Sequence, residues 1–287
     1  MLPRNHELSR IGQHVYWYSP DGRTDRPILG AIVGERATLM VDAGASADHA
    51  RSFLNALKDA AVPAPAYLAL THWHWDHIFG MSELTVPLVA HAGTAAELAV
   101  LGGYSWDDAA LNERVAAGSE IPFCRDMIQA ELPGKRRIKL RKPDIVFTSQ
   151  LTINLGGVSC ELHHVGGDHA EDSTVIYVPE DRALFLGDCL YQRLYSPQPH
   201  YSADKLLPLL DKLATLPAET YLESHNDALL NQAEFAAFTT ALRTGAELAQ
   251  QFGPDREAIQ AGIQQACPEM AAEEVEEMAT FFANGAS

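Results

Sequence analysis

The chain has 287 residues and a hydrophobic fraction of 47%, ordinary for a globular protein and enough to bury a sizeable core without covalent staples. Its formal charge of −17 repels phosphate backbones and sets nucleic acid aside as a partner. No run approaches the ~20 apolar residues needed to cross a bilayer, and the opening MLPRNHELSR lacks the apolar centre of a secretory signal, so the expectation is a cytoplasmic protein with no membrane partner.

Apolar runs at 15–19 (VYWYS), 28–34 (ILGAIVG) and 37–44 (ATLMVDAG) are separated by turn-rich pieces and predict three strands. Ser46 reads as the N-cap of a helix whose Ala50, Phe53, Leu54 and Leu57 share one face. Residues 66–70 (AYLAL) predict a buried strand that runs straight into Thr71-His72-Trp73-His74-Trp75-Asp76-His77. A strand at 87–91 and a helix over 94–101 continue the alternation. Residues 103–143 break the rhythm and read as an insertion with one or two helices. Within it, 135–142 (KRRIKLRK) places six basic residues in eight; this predicts a solvated edge strand or loop, with a site for an anionic group as the alternative.

Strands resume at 151–156, 158–165, 173–178 and 183–188, the last two joined by a hairpin turn at Pro179-Glu180-Asp181-Arg182. Ser202 is placed to cap a helix carrying Leu206, Leu210 and Leu213, and the strand 220–224 (TYLES) leads to His225. From about 231 the pattern is helical. Phe235, Phe238 and Leu242 fit one helical face, as do Val275, Met278 and Phe282; docking on the core is expected, with a homodimer contact as the alternative. Residues 247–287 carry eight acids against Arg256 alone, −7 of the net charge. The expected organisation is a catalytic domain over 1–231 and a helical C-terminal extension over 232–287. Strands grouped with helices in both halves predict an α/β layered fold.

Cys124, Cys160, Cys189 and Cys267 are widely spaced and form no CxxC pair, which argues against a disulfide framework or a zinc ribbon and for buried apolar fillers. The chemistry concentrates elsewhere. In an extended segment residues i and i+2 project to one side, so His72 and His74 can grip one ion together. A helix beginning at Asp76 would swing Asp76 and His77 to a neighbouring position. A lone histidine is most often a satisfied side chain, but four potential ligands within six residues are not explained that way. Imidazole and carboxylate suit Zn²⁺, and also Fe or Mn. Three further ligand candidates stand at strand ends: His169 after Gly166-Gly167-Asp168, Asp188 after Gly187, and His225 after TYLES. A rigid strand aims such residues on an otherwise mobile loop.

Taken together, HxHxDH after a strand, a later His in a Gly-containing turn, Gly-Asp after a strand, a strand-end His and VDAG at 41–44 resemble the metallo-β-lactamase superfamily, over roughly residues 12–230 apart from the insertion. The resemblance implies a four-layer αβ/βα sandwich with two divalent metal ions at one edge of the paired sheets. It implies that His72, His74 and His169 hold the first metal, that Asp76, His77 and His225 hold the second, and that Asp188 bridges them. The turn GGDHAEDS departs from the Pro-Gly-His-Thr type of many members, and His163 and His164 lie close by. His164 therefore stays open as third ligand, although it continues an extended run and fits a core strand.

The implied reaction is hydrolysis of a small ester, thioester, lactone or amide by a hydroxide shared between two metals, with Asp76 as the catalytic residue that orients the water and moves its proton. No Ser or Cys nucleophile is required, and no GxSxG is present. Glyoxalase II-like enzymes and lactonases are the nearest analogues; a β-lactamase proper fits less well, because both Asp76 and Asp188 are present. Alternatives are an iron-binding member with redox or dioxygenase chemistry and a nucleic-acid-processing hydrolase. For a small-molecule substrate the expected walls are the insertion, as a lid, and Trp75, Tyr191, Arg193, Tyr195 and His200. Of Trp73 and Trp75, one would line the mouth while the other packs inward.

Overall fold

The computed structural model describes residues 6–286, so the first five residues of the N-terminal segment read above lie outside the described residues. The chain runs β1 (Leu8–Ile11), β2 (Val15–Tyr18), β3 (Leu29–Val33), β4 (Thr38–Val41), α1 (Ala47–Asp59), β5 (Tyr67–Ala69), α2 (Trp75–Ile78), β6 (Leu88–His91) and α3 (Ala92–Leu101). The insertion holds α4 (Asp108–Ala116) and α5 (Pro122–Glu131). There follow β7 (Ile145–Phe147), β8 (Gln150–Asn154), β9 (Ser159–His164), β10 (Thr174–Val178), β11 (Ala183–Gly187), α6 (Ala203–Ala214), β12 (Thr220–Glu223) and β13 (Leu230–Asn231). Three helices close the chain: α7 (Gln232–Phe252), α8 (Arg256–Ala266) and α9 (Ala272–Gly285).

Strands β1 to β7 form one sheet in sequence order; the second runs β13-β12-β11-β10-β9-β8. Both are mixed: β4 to β7 are parallel neighbours, as are β11 and β12, while the other pairs are antiparallel. The layering follows from the two-residue period of a strand. In β10, Ile176 and Val178 enter the core between the sheets, while Val175 and Tyr177 enter the core beneath the C-terminal helices. In β4, Leu39 and Val41 face the opposite sheet and Met40 faces α1. Three apolar cores result, giving helices, sheet, sheet and helices in four layers.

The expected helix at 47–59 is capped by the Ser46 hydroxyl, which accepts from His49 N–H at 3.0 Å. Ser202 takes the N-cap position of α6 but makes no side-chain cap bond; its own N–H donates to Asp168 at 2.6 Å. The insertion carries two helices, and Leu111, Cys124 and Ile128 from it join the core of the first sheet. The basic run 135–142 lies outside regular structure and is only half solvated. Arg136 is buried and donates to Trp106 C=O and Asp108, while Ile138 and Leu140 pack inward. Phe235, Leu242, Val275 and Phe282 are buried in a core shared with α6 and β10–β12, so the chain itself covers these faces. All four cysteines are free and buried. No helix among the described residues is long and apolar enough to cross a membrane.

Candidate metal centre

Three strand ends on two sheets deliver the ligand candidates, with a fourth loop between β9 and β10. The segment after β5 is extended through His74 and turns into α2 at Trp75, so His72 and His74 project together while Asp76 and His77 swing aside. Asp188 follows β11 through Gly187, whose φ of +57° suits glycine and whose missing side chain admits Thr71: a Cβ there would meet Thr71 Cβ at 2.9 Å. His169 comes from the β9–β10 loop, where Gly167 (φ +123°) packs against Cys189 C=O. His225 lies just beyond β12.

Among the described residues, His72, His74, His169 and Asp188 form one group and Asp76, His77, Asp188 and His225 another, with the ligand atoms of each within 4.8 Å of one another. Asp188 belongs to both. Its Oδ2 stands 3.2 Å from His169 Nε2, 3.9 Å from His72 Nε2 and 3.4 Å from His225 Nε2, while Oδ1 stands 3.5 Å from His77 Nε2. Asp76 Oδ2 lies 2.9 Å from His77 Nε2 and 3.3 Å from His225 Nε2. His164 is elsewhere: its ring stacks on His91 at 3.8 Å and its Nε2 donates to Glu171 C=O.

The outward-facing nitrogens of two of these rings, His77 and His225, face carboxylates. Asp42, in the left-handed region at φ +58°, accepts from Thr71 N–H at 2.7 Å and from Thr71 O–H at 2.8 Å. The same carboxylate lies 2.8 Å from His77 Nδ1 and accepts its proton. That leaves Nε2 of His77 as the nitrogen facing the cluster, available to a cation once the ring is neutral. His225 Nδ1 faces Asp25 at 3.4 Å.

The inward-facing atoms are a different matter. His72 Nε2, His74 Nε2, Asp76 Oδ2, His77 Nε2, His169 Nε2 and Asp188 Oδ1 are buried and have no hydrogen-bond partner. Each such group costs ~1–3 kcal/mol when left alone, and here they converge on one place. Nitrogen and carboxylate donors, aimed inward and otherwise unsatisfied, fit divalent cations. Burial alone would raise Asp76 and Asp188, but the His77 and His225 cations outweigh it and hold both carboxyls below their usual range. Burial likewise opposes charge on His77 and His225, but Asp76 and Asp188 outweigh it and raise both rings well above the ordinary imidazole value. Burial, then neighbouring imidazoles, push His72 and His74 well below it. Opposite charges thus face one another across the places that cations would take.

The family model of the metallo-beta-lactamase superfamily matches residues 30–225, more than half of the chain and the stretch that carries the cluster. The chain belongs to the metallo-beta-lactamase superfamily. Among curated proteins it is similar to the acyl-coenzyme A thioesterase MBLAC2 of Gallus gallus, at 24% identity over 221 residues (70% of this chain and 75% of the relative). It is also similar to the type 2 metallo-beta-lactamase of Bacteroides fragilis, at 38% identity over 48 residues, so the match spans 17% of this chain and only 19% of that enzyme. Among solved structures, the metallo-beta-lactamase from Pontibacter korlensis superposes with a TM-score of 0.56 at 20% identity, covering 81% of this chain and 96% of that one. The sec-alkylsulfatase Pisa1 from Pseudomonas sp. superposes with a TM-score of 0.68 at 15% identity over 98% of this chain, which spans 50% of the alkylsulfatase. Both structures speak for the fold.

Around this superfamily core, a cavity of about 310 Å³ opens on the cluster, walled by Phe123 and Cys124 of the insertion and by Tyr191, Leu194 and Tyr195. A second cavity of about 420 Å³ shares His169 and Tyr195 with it and extends past Trp73 and Arg193. Tyr195 O–H donates to the buried Glu120 at 2.8 Å, tying the loop after Asp188 to the insertion. Of the expected wall residues, Tyr191 and Tyr195 reach the cluster cavity and Arg193 reaches the neighbouring one.

Two expectations need correction. Trp75 does not line the mouth: it opens α2, is 4% exposed and packs against Phe79, 5.7 Å between rings. Trp73, extended between two inward histidines, is half-buried and lines the neighbouring cavity, 5.8 Å from Tyr195. His200 lines neither cavity, because Ser196 and the Gln198 carbonyl hold its ring within its own loop. Sequence reasoning gave no role to Asp42, Thr71, Glu120 or Asp25. For Asp42 a signal existed, the aspartate of VDAG; Glu120 and Asp25 acquire their positions only by long-range closure.

Proposed function

We propose that this chain is a dinuclear metallohydrolase that cleaves a small ester, thioester, lactone or amide. The observation that carries the reading is the pair of ligand groups sharing Asp188, whose inward atoms are buried without partners. His72, His74 and His169 would hold one cation, Asp76, His77 and His225 the other, with Asp188 between them. When bound, two divalent cations supply Lewis acidity to water and to the oxygen of the scissile group. Zinc is the first choice for this nitrogen and oxygen donor set, with iron and manganese compatible.

Asp76 lines the cavity beside His77 and His225 and is the carboxylate placed to hold the nucleophile's proton and pass it on. Tyr191, Tyr195 and Phe123 exclude water and orient the acyl portion. Similarity to a thioesterase over 75% of that relative's length favours thioesters as the first substrates to try.

The test is a hydrolysis panel on the zinc-loaded chain: thioesters, lactones, aryl esters, amides, β-lactams and phosphodiesters. Turnover of carbonyl substrates, lost in Asp76→Ala with the circular-dichroism spectrum intact, is the expected result. Cleavage of phosphodiesters alone, or an iron-loaded preparation with a visible absorption band and no hydrolysis, would sink it.

A further inference from the structure

The carboxylate behind His225 comes from an unexpected place. Asp25 lies in the loop between β2 and β3, far in sequence from any ligand motif, and its Oδ1 stands 3.4 Å from His225 Nδ1. The arrangement parallels the one behind His77, where Asp42 occupies Nδ1 and leaves Nε2 to the cluster. His225 Nε2 likewise faces Asp76 and Asp188. Asp42 fixes the His77 ring by a hydrogen bond, and Asp25 stands at ion-pair distance from the corresponding nitrogen of His225.

Asp25 is not held there by its own bonds. It is one of the non-glycine residues in the left-handed region, at φ +57°, a conformation asparagine and aspartate tolerate better than most and that persists when the surroundings impose it. The flanking residues supply the constraint, and both reach the same buried side chain. Thr24 O–H donates to Glu131 Oε2 at 2.6 Å. Arg26 Nε lies 3.0 Å from both Glu131 oxygens, and its terminal nitrogen donates to Oε1 at 2.7 Å. Arg26 is 2% exposed and Glu131 7%, and Ser46 also donates to that carboxylate. Glu131 is the last residue of α5. The insertion thereby pins the loop on each side of Asp25.

We infer that Asp25 is a positioning residue for His225, and that Glu131 of the insertion holds it in place through Thr24 and Arg26. This rests on the metallohydrolase reading for the role of His225, and it assigns the insertion a part in building the second cation site as well as in walling the cavity. Partners of this kind behind a ligating imidazole typically change metal affinity 10–100-fold when removed.

The experiment uses the full chain and zinc alone. In Asp25→Asn, which keeps the shape and tolerates the backbone, the second zinc equivalent should bind ~10–100-fold more weakly by calorimetry, with the first unchanged. The ¹⁵N shifts of the His225 ring should move at the same time. Thr24→Val, which removes one hydroxyl, should give a smaller loss of the same equivalent, and Asp25→Glu should recover part of it. Wild-type affinity for both equivalents in Asp25→Asn, or equal weakening of both, would overturn the inference. If the wild-type chain takes up a single equivalent, the dinuclear reading fails by itself. The ring shifts then decide this inference alone: moved in Asp25→Asn they uphold it, unmoved they overturn it.

Discussion

Replacing Asp42 separates what the fold needs from what the cluster needs. In Asp42→Ala three donors lose their acceptor at once: the Thr71 N–H, the Thr71 hydroxyl and His77 Nδ1. The site is 2% exposed, so water offers little replacement. At ~1–3 kcal/mol for each buried group left unpaired, the loss is at least roughly 3 kcal/mol. The left-handed backbone, at φ +58°, adds a penalty of about 1 kcal/mol for a residue with a Cβ and no local polar side chain. Against a total stability of ~5–15 kcal/mol this is severe, and it corresponds to a fall in Tm of roughly 8 °C or more in a chain of this size.

Asp42→Asn is the informative partner. Its amide oxygen can keep the Thr71 N–H, which turns the NH₂ group toward His77 Nδ1. That nitrogen must then accept, which disfavours the doubly protonated ring and keeps its remaining proton on Nε2, the atom that faces Asp76 and Asp188. The metal-free variant should melt within a few degrees of wild type, while zinc affinity falls ~10–100-fold. Thermal melts in chelator and zinc titrations of both variants make the comparison. An Asp42→Asn protein that binds two equivalents of zinc as wild type does, or an Asp42→Ala protein that melts unchanged, would refute the reasoning.

Zinc uptake by the metal-free chain at pH 7 should release about two protons, from His77 and His225, because metal ligation requires neutral imidazole; calorimetry in buffers of different ionisation enthalpy counts them. The sign is fixed by their raised values: in the metal-free chain their pairing contributes stability fully present below ~6.5 and lost as pH rises through the folded-state values, so apparent zinc affinity climbs over the same range. His169→Ala should cost the first zinc equivalent, whereas His164→Ala should keep both, since that ring is committed to His91 and Glu171; metal content after dialysis checks it. Tyr195→Phe removes the bond to Glu120 and should leave metal content intact while changing kcat/KM, by roughly five-fold for each kcal/mol of lost positioning.

What the sequence made legible follows physical lines. The runs at 173–178 and 183–188 read as strands because β10 and β11 are buried on both faces. The edge strand β7 did not, because Ile145 and Val146 are exposed at 36% and 51% and its pairing with β6 is made across the whole insertion. The candidate cluster was legible because His72, His74, Asp76 and His77 are local, Asp188 and His225 sit one and two residues beyond strands, and His169 follows a Gly-Gly turn after β9. The two tryptophans could not be told apart in advance: which one faces the mouth depends on whether the chain leaves the extended state at 75 or 76, a single-residue difference. Asp25 was beyond reach, since its placement depends on Glu131, more than a hundred residues away.

These dependences divide the site into two parts with different origins. Most of the candidate ligands stand at the ends of strands in the two sheets, and Thr71, Gly187 and Asp42 interlock beneath them, so their geometry belongs to the double-sheet core. The cavity walls come from α5 and the loop after Asp188, joined by the contact of Tyr195 with Glu120. Changes in the walls can therefore alter the shape of the cavities without disturbing the candidate ligand cluster, as the shared position of Tyr195 between two cavities implies. The exception is Glu131, which lies in the wall-forming insertion yet reaches through to the loop behind His225. Through that one buried carboxylate the insertion is in contact with the loop that carries Asp25, so with the role inferred for Asp25 the two parts are not independent.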